Sequence, residues 1–231
     1  MTWDPHRLDP RWPFDLTRTT FDLDAGSTAL LVIDMQVDQI TIGPESPMAE
    51  RHPQIRDDWE RRIGECVIPN IERLIDWFRR RDHRIVYTRN GTMTATGDEM
   101  TRRLKPRRPV GGQPIHRNSP GYQVVERLAP RNEDMVVDKL TSGAFTASTL
   151  DHALRNMRIS GLVMTGVLTD ACVFGTARSA AELGYDSLIC EDACATFTRR
   201  AHDDALMMHA RIFGRVDTTD GVLAELEKNH G

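Results

Sequence analysis

The sequence predicts an α/β protein, a Rossmann-like three-layer sandwich around a central, mostly parallel six-stranded sheet. Two observations predict it. Short, wholly apolar runs recur along the chain, the pattern of strands buried on both faces. Segments with apolar residues at helical spacing lie between them, and that alternation implies a parallel sheet covered by helices on both sides.

The elements follow in chain order. Residues 1–28 are polar, with Trp3, Trp12 and three prolines, and read as an extended arm before a single domain over 29–231. Ala29–Ile33 is the first strand and Arg84–Thr88 the second. Between them Ile63, Val67, Ile71, Leu74 and Phe78 form one apolar helical stripe. Pro69 sits inside it, so the helix is expected to start late or kink there. Residues 90–120, rich in Thr, Gly, Pro and Arg, read as a loop or lid. Met135–Val137, Leu162–Thr165 and Ser187–Cys190 are the next strands, with a sixth near Arg215–Val216. Thr149–Met157, Ala171–Leu183 and Ala201–Ile212 read as helices, the last with Ala205, Met208 and Ile212 facing inward.

Composition narrows the function classes. Hydrophobic residues are 39% of the 231, enough for a substantial core, and a net charge of -4 leaves no electrostatic footprint for nucleic acid. No apolar run approaches the roughly 18 residues of a membrane span. The N-terminus lacks the apolar centre of a signal peptide, so a cytoplasmic location is expected. Cys66, Cys172, Cys190 and Cys194 do not form a disulfide framework in a chain this long. Cys190 and Cys194 read as structural thiols.

Ligands of open parallel sheets bind beyond the carboxyl ends of the strands. Three reactive groups fall at that edge: Asp34 after the first strand, Lys139 after the third, and Cys172 in the turn after the fourth. Cys172 stands near the start of a helix, where unpaired N–H groups and the helix dipole favour a thiolate and can hold an oxyanion. A partly desolvated Asp34 could exchange a proton with that thiol. Lys139 could hold the two anions together. Each also has a plainer reading: a small buried hydrophobe for Cys172, a turn residue for Asp34, a lysine stem covering the sheet edge for Lys139.

Three motifs in order resemble the isochorismatase-like cysteine hydrolase superfamily, within its metal-free amidase and ureide hydrolase branch. They are Leu31–Gln36 (Leu-Val-Ile-Asp-Met-Gln), Asp138-Lys139 with Ser142–Phe145, and Gly166–Val173 (Gly-Val-Leu-Thr-Asp-Ala-Cys-Val). The resemblance implies a Cys-Asp-Lys triad. Cys172 would attack an amide or ureide carbonyl, Asp34 would shuttle the proton, and Lys139 would orient Asp34 and stabilise the thiolate. It also implies a cis peptide at Val167–Leu168 and an oxyanion hole from the N–H groups of Leu168 and Cys172.

Two departures from the family's pattern refine this. Isochorismatases proper lack the cysteine. Nicotinamidases carry an Asp-x-His pair and a further His as metal ligands, whereas the corresponding stretch here is Glu50–Gln54. His52 and His83 read as surface histidines. No catalytic metal and no cofactor is therefore expected. The expected partner is a small amide or N-carbamoyl substrate, with neither nucleic acid nor membrane, and a homo-oligomer is expected. Arg102, Arg103, Lys105, Arg107, Arg108 and Arg117 make the lid basic, so the substrate could carry a carboxylate. Gln36, Asn90, Phe145, Phe174 and His209 are candidate substrate contacts. A nicotinamidase-like metal-dependent amidase and a non-catalytic binding protein on the same fold are the alternatives.

Overall fold

A computed structural model describes residues 3–43, 45–101 and 115–229. Six strands form one sheet: β1 (Thr28–Ile33), β2 (Ile85–Asn90), β3 (Met135–Lys139), β4 (Gly161–Val167), β5 (Asp186–Ala195) and β6 (Arg215–Asp217). Their order is β3-β2-β1-β4-β5-β6, and every pairing is parallel. From β1 the chain winds outward to β3, then returns to lay β4 on the other side of β1. The order reverses there, which opens a crevice at the carboxyl ends of β1 and β4.

The helices are α1 (Val37–Ile40), α2 (Pro47–Arg51), α3 (Pro53–Arg62), α4 (Ile68–Arg80), α5 (Leu150–Asn156), α6 (Phe174–Glu182), α7 (Arg199–Ile212) and α8 (Thr219–Lys228). Alternate strand residues feed two cores. Leu30, Val32 and Val163 pack with Ile71, Leu74 and Phe78 of α4 and with Val222 and Leu226 of α8. Leu31, Ile33 and Met164 pack with Leu154 of α5, Ala177 and Ala180 of α6 and Leu206 of α7. This is the expected sandwich, with the sheet wholly rather than mostly parallel. Among the described residues no helix is long and apolar enough to cross a membrane.

The helical stripe is interrupted at Pro69 as expected: α4 begins at Ile68 with Pro69 in its first turn, and a π-helical turn, Ile63–Val67, joins it to α3. A proline near a helix start costs no hydrogen bond, and the wide turn precedes its ring. Helix α7 is rotated from its expected face. Ala205 is buried as expected, but Met208 and Ile212 are 47% and 57% exposed, while His202, Leu206 and His209 lie inside. Both histidines have polar partners within the fold, so the inner stripe is part imidazole and invisible to a hydrophobicity count.

The first residues lie against their own domain. Three single 3-10 turns lead to β1. Trp3 N–H donates to Asp217 and Leu23 N–H to Glu225. Within the lid segment, residues 102–114 lie outside the described ones; of its six cations only Arg117 is described, and it is exposed.

Candidate active site

The last residue of β1 pairs with Gly166 of β4. Gly166 has φ +107°, and a Cβ there would collide with the carbonyl of Ile33. Only glycine lets the two backbones pass this closely. Asp34 follows with φ +52°, a left-handed conformation that aspartate tolerates better than most residues. The turn swings its carboxylate into the crevice, where it is 1% exposed.

Three groups hold that carboxylate. Thr88 Oγ1, at the same level on β2, donates to Oδ1 at 2.7 Å. Lys139 Nζ, from the end of β3, lies 2.7 Å from Oδ2. Cys172 has its thiol within hydrogen-bonding reach of both Asp34 and Lys139. Lys139 is fully buried along its side chain and also donates to the carbonyls of Thr141 and Ser142, each at 3.0 Å. Two backbone carbonyls thus anchor the ammonium whose charge faces Asp34 and Cys172.

The cysteine comes from a tight turn. The Val167–Leu168 peptide is cis. A π-helical turn, Thr169–Val173, then leads directly into α6. Cys172 keeps partial solvent exposure, although protein surrounds most of the thiol. Its carbonyl accepts from Thr176 Oγ1 at 2.6 Å, which in turn accepts from Ala144 N–H at 3.0 Å. The loop that anchors Lys139 is thereby tied to the helix that carries Cys172.

The electrostatics correct one expectation. Burial, reinforced by the Asp34 carboxylate and only partly offset by Lys139, pushes the Cys172 thiol up to about 12. The resting group is a thiol, despite its place at a helix start. Lys139 is raised above its ordinary value: burial works against the charge, but Asp34 and Cys172 outweigh it. Loss of the thiol proton to solvent would leave a net negative charge in a buried site. Passing it to Asp34 leaves the net charge unchanged.

The candidate substrate contacts divide. Gln36 is fully buried and its amide is spent internally. It donates to the carbonyls of Asn90 and Tyr122 and accepts from Asn90 N–H. Asn90, the last residue of β2, donates through Nδ2 to the Thr141 carbonyl. That same carbonyl receives Lys139. These two residues brace the site. Phe145 packs on Tyr185, with ring centroids 5.5 Å apart, and Phe174 on Phe213 at 6.1 Å. His209 is not brought to the crevice: its Nε2 meets the carbonyl of Ser187 near the start of β5, at the opposite edge of the sheet. Burial lowers its pKa to about 4.

Thr88 and Thr176 escaped the sequence reading. The available signal for Thr88 was a hydroxyl closing an otherwise apolar strand beside the one that ends in Asp34. Among the described residues no group of three or more His, Cys, Asp or Glu side chains is arranged to hold a metal ion.

The isochorismatase domain model matches residues 28–221. The chain belongs to the isochorismatase family. Among family relatives, a ureidoacrylate amidohydrolase, RutB of Variovorax paradoxus, is 28% identical over 211 residues, spanning 86% of this chain and 81% of the relative. A cysteine hydrolase structure from Pseudomonas syringae pv. phaseolicola 1448A superposes with a TM-score of 0.74 at 23% identity, covering 92% of this chain and 98% of that one. An N-carbamoylsarcosine amidase from Thermoplasma acidophilum gives a TM-score of 0.64 at 24% identity, covering 84% and 97%. This chain is an isochorismatase-family hydrolase with that family's α/β fold.

Proposed function

We propose that this hydrolase cleaves a C–N bond of a small amide or ureido substrate through a thioester on Cys172. One observation carries the reading: the buried Asp34–Lys139 ion pair lies within hydrogen-bonding reach of the Cys172 thiol. The ureidoacrylate amidohydrolase among its relatives supports the substrate class.

In this scheme the thiol proton moves to the Asp34 carboxylate as Sγ bonds to the carbonyl carbon. Lys139 keeps the Asp34–Cys172 set at constant charge and holds the developing thiolate. The N–H groups of Leu168 and Cys172 receive the oxyanion. Asp34 returns the proton to the leaving nitrogen, the C–N bond breaks, and ammonia or an amine departs. A water then gives its proton to Asp34 and attacks the thioester. The S–C bond breaks, and the proton returns to sulfur. A substrate carboxylate, if present, would pair with one of the basic residues of segment 90–120, of which Arg117 is the described candidate.

The test is ammonia release from nicotinamide, biuret, ureidoacrylate, N-carbamoyl amino acids and maleamate. Wild type and Cys172→Ala are each assayed with and without chelator. The expected result is chelator-resistant release from a ureido or amide substrate that Cys172→Ala abolishes. Full activity in Cys172→Ala would overturn the scheme. Activity on nicotinamide alone, lost with chelator, would move the protein to the metal-dependent branch.

A further inference from the structure

Behind the turn that carries Cys172 lies a buried polar cluster with no part in the scheme above. His202, in the first turn of α7, is 2% exposed, and Thr169 is fully buried. Thr169 opens the π-helical turn three residues before Cys172. His202 Nδ1 lies 2.8 Å from its Oγ1. On the far side of the ring, Nε2 faces Glu191 Oε2 at 3.6 Å and the Arg62 guanidinium at 3.4 Å. Arg62, from α3, also donates to the carbonyls of Glu191 and Cys194 in β5. Arg199, within α7 itself, is the other cation facing the imidazole.

The ring therefore bridges a rigid frame and a turn. Its Nε2 side looks onto groups fixed to β5 and α3. Its Nδ1 side reaches a hydroxyl on the short segment that delivers the nucleophile. A core histidine needs only satisfied nitrogens. This one is satisfied on the Nδ1 side by a single atom of the Cys172 turn, which links that turn to α7; Asp170 of the same turn accepts separately from Thr196 Oγ1.

We propose that His202 is a positioning residue for Cys172, acting through its Nδ1 contact with Thr169. It touches neither substrate nor reacting atoms. The significance for hydrolysis rests on Cys172 being the nucleophile, but the geometry can be tested without a substrate.

Asparagine places an amide nitrogen or oxygen near the Nδ1 position; glutamine places one near Nε2. His202→Asn can keep the bond to Thr169, and His202→Gln loses it. The probe is iodoacetamide, with alkylation of Cys172 followed by mass spectrometry at pH 8. His202→Asn is expected to stay within about twofold of wild type. His202→Gln is expected to react about tenfold faster, because a loosened turn relieves the burial that suppresses the thiolate. Thr169→Val, which removes the hydroxyl and keeps the shape, is expected to match His202→Gln, with Thr169→Ser restoring the wild-type rate. Should His202→Gln fail to fold, the Thr169 pair decides. The proposal is overturned if the Asn and Gln variants alkylate at the same rate, or if Thr169→Val behaves as wild type. Absence of hydrolase activity would overturn the reaction scheme and leave these rates as informative as before.

Discussion

Lys139 Nζ lies 2.7 Å from Asp34 Oδ2, with both side chains withdrawn almost completely from water. A buried pair of this kind costs more to break than to replace. Removing one partner strands a charge, whereas removing both strands none. Lys139→Met should therefore destabilise the protein by about 3–5 kcal/mol. The double variant Asp34→Asn with Lys139→Met should recover part of that loss. Chemical denaturation of the four proteins in the cycle checks both statements; additive losses would contradict the coupling.

Thr88 supplies the other fixed contact to the same carboxylate. Thr88→Val keeps the shape and removes the donor to Oδ1. Hydrogen bonds to charged groups contribute about 1.5–3 kcal/mol, and a loss in that range is expected. Denaturant midpoints measure it. Turnover should fall as well, because Asp34 keeps Lys139 but loses the contact that fixes its other oxygen.

Gly166 admits no side chain. Its positive φ and its approach to the Ile33 carbonyl act together. Gly166→Ala should cost more than about 4 kcal/mol or prevent folding altogether. Soluble yield and thermal unfolding report the result, and a stable Gly166→Ala protein would contradict the described crossing of β1 and β4.

Stability should fall on both sides of neutrality. Burial lowers His209 from 6.5 to about 4, and burial lowers His202 too. The unfolded chain therefore binds more protons over that window, so this contribution is complete above about 6.5 and is lost as pH falls toward 4. The Cys172 thiol is raised from 9.0 to about 12. Its contribution is complete below 9 and is lost as pH rises toward 12. Tyr87, Tyr122 and Cys194 are raised by burial and act in the same alkaline direction. Denaturant midpoints across this range should trace a dome. His209→Gln should flatten its acid side, and a midpoint independent of pH between 4 and 6.5 in wild type would contradict the burial of both imidazoles.

The pattern of buried strands alternating with helical segments was legible in the sequence because local periodicity reports burial on one face or two. That pattern, with the rule for parallel sheets, put Asp34, Lys139 and Cys172 at one edge, and the three motifs named the family. Helix α7 shows where periodicity stops. Met208 and Ile212 are the more hydrophobic candidates for its inner face, yet His202 and His209 occupy it, where Thr169 and the Ser187 carbonyl give each imidazole a polar partner.

The sequence by itself determined the order of elements, the residues at the carboxyl edge and the family. Only the tertiary structure decided their employment. Gln36 and Asn90 sit 54 residues apart, and the Gln36 side chain bonds the Asn90 backbone, so the Gln36 amide is spent inside the fold. The thiol that stands near a helix start is nonetheless pushed up, by burial and by the Asp34 carboxylate from another strand. Hydrogen-bond partners and local dielectric depend on distances through space, and no single stretch of sequence encodes them.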